Sequence, residues 1–351
     1  MGVQIQSKHA VGTLLAITLL VFCLVPSFDF INLDDPRHLD SNPYYSPTPL
    51  SHLDGVWKHP YLLYMPMTYT VWAFLAWASP SGHVPARSLT GVPTHFLYDP
   101  MFFHVTNLLL HLLSVFLAFH ILKRFFKNPV ACALGAAVFA FHPLQVEPVT
   151  WVSALKDTLS GVFFFSALYL VLVALDSSKK VWLLAGAGVA YLGALLSKPS
   201  VIVFPLLLFV VLRFAEKKSW KESLTLALPF AILALPFAWI TAQLQADDTL
   251  MFVPQALLKR PLIAVDTLGF YLSKVLLPFN LAIDYGRTPE IQLTQWSYLL
   301  LGISGVIGAV ILLYRDRKWL PEILFFLICL VPVLGFKAFS FQTTSSVSDR
   351  Y

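Results

Sequence analysis

The sequence predicts an all-α polytopic membrane protein of about nine transmembrane helices, with further short helices re-entrant or interfacial on its outer face. Three observations predict it. Hydrophobic residues make up 57% of the 351 and charged residues only 12%, against about 25% charged in a soluble domain. The mean hydropathy is +0.71. The apolar residues gather in runs suited to crossing or entering ~30 Å of hydrocarbon, separated by short basic loops. A soluble fold is excluded. The formal charge of +5 comes from dispersed cations, so no nucleic acid is expected as a partner. Cys23, Cys132 and Cys329 lie inside apolar runs, which excludes a disulfide framework and a Cys/His metal spacing.

The first span is expected at 10–28. Its opening resembles a secretory signal, but VPSFDF offers no small-residue cleavage site, so the segment is read as an uncleaved anchor. Residues 29–99 follow as a polar, aromatic, Pro-rich outer loop. Within it, 66–80 is apolar, yet at ~1.5 Å per residue it is too short to cross ~30 Å, so it is expected at the interface or re-entrant. Later spans are expected at 101–122, 130–142, 158–175, 181–197, 199–214, 223–243, 293–314 and 319–337.

Lys and Arg orient the chain. With the N-terminus inside, the inner loops hold Lys8, Lys123, Arg124, Lys127, Lys179, Lys180, Arg213, Lys217, Lys218, Lys221, Arg315, Arg317 and Lys318, more than half of the 24 cations. That satisfies the positive-inside rule. Most of the 19 acids then fall outside. The rule also decides 261–279, which reads as apolar but carries Asp266 and Lys274. A crossing there would put Arg315, Arg317 and Lys318 outside, and both charges are costly in hydrocarbon. The segment 244–292 is therefore expected along the outer interface, and 1–351 is read as one membrane domain.

The charged residues at outer span ends are the candidates for chemistry. They are Asp34, Asp35, Arg37 and His38 after the first span, and His142, Glu147, Lys156 and Asp157 around the turn 141–157. Lys198 stands in SKPS, and Arg260 and Lys274 lie further on. An aspartate ionised at neutral pH can take a proton from a hydroxyl. Cations at interfacial depth can hold a lipid phosphate, Arg in a bidentate fork. One reaction uses both: sugar transfer from a polyprenyl-phosphate donor, with Asp34 or Asp35 as base and Lys198, Arg260 and Lys274 as donor-phosphate ligands. Plainer readings stand beside these. An Asp pair can cap a helix, Glu147 can start one, and Lys198 can reach outward from a span end merely to stay hydrated. His104, His111 and His120 are read as packed within a span.

The stretches NLDDPRHLDSNP (32–43), YMPMTYTVWAF (64–74), FFHVTNLLLHLLSVFLAF (102–119), FAFHPLQVEPVTWVSALKDTLSGVFF (139–164), LLSKPSVIVFPLLL (195–208), GFYLSKVLLPFNLAIDYG (269–286) and SVSDRY (346–351) carry a resemblance. Together they resemble the multi-span glycosyltransferases of the C-type superfold, most closely the transmembrane and tetratricopeptide-repeat O-mannosyltransferases and their bacterial relatives. The resemblance implies a glycosyltransferase C-type architecture and a hexosyltransferase, with mannose as the family's sugar. It implies a catalytic carboxylate at Asp34–Asp35, with Asp35 slightly favoured, and Glu147 and Asp157 lining the site with Arg37 and His38. Inverting displacement needs no cofactor, although a divalent metal held by Asp35, Glu147 and Asp157 stays open. The expected partners are a polyprenyl-phosphate sugar, an acceptor protein (Ser/Thr) or glycan, and membrane lipid. The expected location is a bacterial plasma membrane with the site facing the periplasm, or alternatively an endoplasmic reticulum facing the lumen. No tetratricopeptide array follows, and relatives run on past SVSDRY, so a short form or a truncated one is expected. Lipid- or glycan-directed transferases of the same layout, and a transporter or flippase, are the competing readings.

Overall fold

The computed structural model describes residues 2–46, 48–79, 84–86, 94–249, 257–336 and 340–349. Its elements are helices, apart from a short antiparallel hairpin pairing Val84–Ala86 with Thr94–Phe96. Where the sequence reads one domain, the chain divides into two compact units, Met1–Val201 and Ile202–Tyr351.

In the first unit, α1 (Gly2–Val21) leads into the long loop, which carries the single-turn α2 (Asp35–His38), α3 (Leu53–Lys58) and α4 (Pro66–Ala78). Then follow α5 (Pro100–Phe125), α6 (Pro129–Phe141), α7 (Val146–Thr150), α8 (Leu155–Ala174) and α9 (Lys180–Ser197). Local chemistry sets these boundaries. Asp99 caps α5 by accepting from Met101 N at 2.9 Å, and Asn128 caps α6 by accepting from Val130 N at 2.9 Å. Pro100 and Pro129 hold the first helical positions, where the missing N–H costs nothing. His142 precedes Pro143 and is forced into extended backbone, so α6 stops there. Lys198 ends α9 before Pro199 in the same way.

The loop is folded onto the helix ends. Phe30, Leu39, Tyr45, Val56, Met65, Tyr69, Trp72 and Tyr98 form one buried cluster with Phe103 of α5 and with Val152, Leu155 and Leu159 at the start of α8. Within 66–80, Pro66–Ala78 is thus one 13-residue helix, about 20 Å long, with Tyr69, Trp72, Ala73 and Ala76 buried. The alternation of α5, α6, α8 and α9 leaves Lys123, Arg124, Lys179 and Lys180 at the opposite ends from this cluster.

The second unit holds α10 (Phe204–Val210), α11 (Trp220–Thr249), α12 (Arg260–Leu276), α13 (Pro289–Thr294), α14 (Trp296–Arg315) and α15 (Leu320–Leu330). Its core joins Ala264, Leu268, Phe270 and Tyr271 of α12 with Leu330, Leu334 and Val347.

Among the described residues, six helices are long and apolar enough to cross a membrane: Gln6–Ser27, Pro100–Phe125, Val152–Ala174, Lys180–Ser197, Trp220–Leu244 and Trp296–Arg315. A seventh arises if Pro129–Phe141 and Pro143–Thr150, bent by 55°, act as one span. The chain is a multi-pass integral membrane protein, with fewer full-length spans than the nine expected. The difference lies at 130–142, 199–214 and 319–337, whose helices are shorter than 18 residues. Helix α6 has 13 residues before Pro143, and α15 has 11 before the backbone tightens at Val331–Val333. At 1.5 Å per residue each falls well short of ~30 Å. Hydropathy counts apolar residues and does not register these breaks. Helix α12, with 17 residues, is also outside the six.

Candidate active site

The loop is pinned to the helix bundle through Asp35. Its Oδ2 accepts from Ile31 N at 2.8 Å, and its Oδ1 accepts from Ser153 N at 2.9 Å and from the Ser153 hydroxyl. The residue is 0% exposed. Lys156 donates to the Ser153 carbonyl at 2.6 Å, and its charge reaches the carboxylate. Burial raises the Asp35 pKa to about 6, against the lowering by the Ser153 and Ile31 hydrogen bonds and by Lys156.

Asp34, the neighbour that begins α2, is half-buried, and its charge acts on the Tyr69 phenol. Arg37 is exposed and its carbonyl accepts from Tyr61 Oη at 2.8 Å. His38 is buried, with its ring against Trp72 at 5.0 Å between centroids. Tyr69 Oη gives its proton to the Tyr61 carbonyl at 2.8 Å, so the 3.2 Å contact with His38 is an Nδ1–H donation into the phenol oxygen. The sequence reading slightly prefers Asp35 over Asp34 as the base, and the two differ in setting. A base must come within hydrogen-bond reach of its proton. Asp35 has no exposed surface and three donors around it, whereas Asp34 is partly open.

A second charged pair sits one helical turn from Ser153. Asp157 Oδ1 is ion-paired with Lys198 Nζ, and the side chains are 10% and 16% exposed. Helix α4 sets the Lys198 backbone: Thr68 Oγ1 donates to the Ser197 carbonyl at 2.9 Å. Lys198 is thus not merely an outward-reaching span-end lysine. Glu147 lies in the first turn of α7, half-buried. Among the described residues no three His, Cys, Asp or Glu side chains stand where they could share a metal ion. The trio of Asp35, Glu147 and Asp157 is therefore not assembled as a metal site. His111 is packed as expected within α5, its Nε2 at 3.2 Å from the Ala140 carbonyl.

Arg260 and Lys274 lie in the second unit, and both turn into it. Arg260 Nη1 donates to the Gly335 carbonyl at 3.0 Å and to Gln342 at 3.4 Å. Lys274 is 3% exposed. It donates to the carbonyls of Phe279 at 2.7 Å and Asn280 at 3.0 Å, under the Tyr285 ring at 4.8 Å. Asp266 is likewise satisfied from within, by Arg287 at 2.7 Å and Gln292 at 3.0 Å. In the terminal SVSDRY, Asp349 accepts from Tyr285 Oη at 2.7 Å, while Arg350 and Tyr351 lie outside the described residues.

Ser153, Tyr69 and Trp72 are the residues that sequence reasoning missed. Asp35 and Ser153 are 118 positions apart, and no local pattern links them.

Residues 103–241 match the family model described as dolichyl-phosphate-mannose-protein mannosyltransferase. No curated protein and no solved structure matches the chain. The matched stretch runs from α5 into α11 and contains Glu147, Ser153, Asp157 and Lys198. Asp34 and Asp35 precede it, and it ends before Arg260 and Lys274. The match covers less than half of the chain, and with the polytopic helical architecture it supports an O-mannosyltransferase-like glycosyltransferase.

Proposed function

We propose that the chain transfers a hexose, mannose by the family it resembles, from a polyprenyl-phosphate donor to a hydroxyl acceptor. The proposed acceptor is a protein Ser or Thr. The observation that carries this reading is the construction at the mouth of α8. There Ser153 anchors the loop through Asp35, which holds Asp34 at the surface of the loop, and Asp157 holds Lys198 one turn further on.

Asp34 takes the proton of the acceptor hydroxyl. The acceptor oxygen forms its bond to the anomeric carbon as the bond from that carbon to the phosphate oxygen breaks. The electron pair leaves with the polyprenyl phosphate, and configuration inverts. Lys198 offsets the phosphate charge as it develops, with Asp157 fixing the ammonium in place. Arg260 and Lys274 have no donor-phosphate role in this reading, because both are buried and bonded to Gly335, Gln342, Phe279 and Asn280 within the second unit. The residues present supply a base and a phosphate-binding cation, so the step is written without a metal. The loop 29–99 faces the periplasm of a bacterial plasma membrane, the side opposite the basic loops.

The test offers the purified chain a panel of polyprenyl-phosphate sugars with Ser/Thr peptides, glycans and lipids as acceptors. Release of free polyprenyl phosphate coupled to a new glycosidic bond is expected with one donor. Release of polyprenyl phosphate with none of them rules the reaction out.

A further inference from the structure

At the end of the first unit opposite the loop cluster, a cavity of about 220 Å³ opens between α5 and α8. His120, Lys123 and Arg124 line it from the last turns of α5, and Tyr169 and Val173 from α8. Its polar groups have defined settings. His120 Nδ1 donates to the Phe116 carbonyl at 2.9 Å, and its ring meets the edge of Tyr169 at 6.3 Å. Lys123 lies 6.0 Å from the centre of the Phe119 ring. Arg124 is ion-paired with Asp176, the acid beside it. Both cations stand in the final turn of a helix and are themselves exposed. Lys127, Lys179 and Lys180 are nearby in sequence at the adjoining helix ends, so positive charge outweighs the single carboxylate. Val173 lines the cavity and Phe116 packs on the His120 ring at 4.2 Å, while Phe125 and Phe126 are exposed at the same end of α5. Helices α5 and α8 are both long and apolar enough to cross the bilayer, so their ends lie at headgroup depth.

We propose that this cavity binds the phosphodiester headgroup of an anionic membrane phospholipid, with Lys123 and Arg124 as its charge-matching ligands and the exposed phenylalanines against the acyl chains. A negative group between transmembrane helix ends meets cations there without losing contact with the bilayer, and each nearby cation strengthens binding about fivefold. The site is separate from Asp34 in the loop and Lys198 after α9, at the opposite helix ends, and does not depend on their chemistry.

The experiment is native mass spectrometry of the full chain, stripped of lipid in neutral detergent and titrated with phosphatidylglycerol or phosphatidylcholine. One phosphatidylglycerol is expected to bind at concentrations where phosphatidylcholine does not. Lys123→Gln should weaken it about fivefold. Since Lys123 is exposed, that variant leaves the fold intact. Arg124→Gln should weaken it at least as much, and Arg124→Lys, which keeps the charge, should restore most of it. Lys127→Gln, outside the cavity lining, should weaken it less than either of these Gln variants. Equal binding of the two lipids, or full binding by both Gln variants at positions 123 and 124, overturns the proposal. So does complete displacement by millimolar inorganic phosphate, which would mean that the cavity takes a free anion.

Discussion

A carboxylate surrounded by donors holds chain segments together, and one with an open side can exchange a proton with a substrate. Asp35 is the first kind, and adjacent Asp34, which is half-buried, is proposed as the second. Asp35→Asn puts an amide N–H₂ among the N–H groups of Ile31 and Ser153 and the Ser153 hydroxyl, so at least one donor is left facing another. That should cost about 1–3 kcal/mol, measured as a lower thermal midpoint in detergent. The raised Asp35 pKa also sets a pH dependence. Its folded pKa of about 6 lies above the unfolded value of 3.8, so the folded state binds the extra proton. The associated stability is full below about pH 4 and lost as pH rises through about 6. Asp40, which burial also raises to about 6, contributes in the same window. Thermal midpoints should therefore fall between about pH 4 and 6, and Asp35→Asn should flatten this fall without abolishing it. An unchanged slope in the variant would remove Asp35 from the account.

Among the elements, α12 and α14 approach each other closely at two glycines. A methyl group at Gly269 would stand 1.9 Å from the Tyr298 carbonyl oxygen, and one at Gly302 would stand 1.9 Å from that of Val265. Both obstacles are backbone, which cannot move aside as a side-chain tip would. Small residues let helices pack this closely in membranes. Gly269→Ala or Gly302→Ala should therefore force the pair apart and cost about 1–3 kcal/mol. The loss would be read as early aggregation on size exclusion after heating, and an unchanged profile in both variants would contradict the crossing. This contact was not legible in the sequence, because two glycines gain a joint meaning only once their helices are seen to cross. Asp34, Asp157 and Lys198 were legible, because charge at the end of an apolar run stands out against its neighbours. Ser153 was not, being an unremarkable serine until the loop folds back onto α8.

At the scale of the whole molecule, orientation links the loop to its compartment. The charges in α12 bear less on this than the sequence suggests. Arg287 meets Asp266, and two carbonyls meet Lys274, so neither charge needs water. The basic loops still favour an outer position for residues 277–295, and Thr288 caps α13 there. Thr288→Cys, with Cys23, Cys132 and Cys329 replaced, should react with a membrane-impermeant maleimide added to intact cells. Labelling only after lysis would place the segment inside and invalidate the interfacial reading of 244–292. The central claim is that Asp34 is the base of a glycosyl transfer. Its most direct measurement is single-turnover transfer by purified Asp34→Asn and Asp35→Asn chains with the donor that the wild type uses. Asp34→Asn should fold and lose transfer by at least about 100-fold, the lower range for a general base. Asp35→Asn should be less stable and retain measurable transfer in the fraction that remains folded. Full activity in a folded Asp34→Asn chain would contradict the claim.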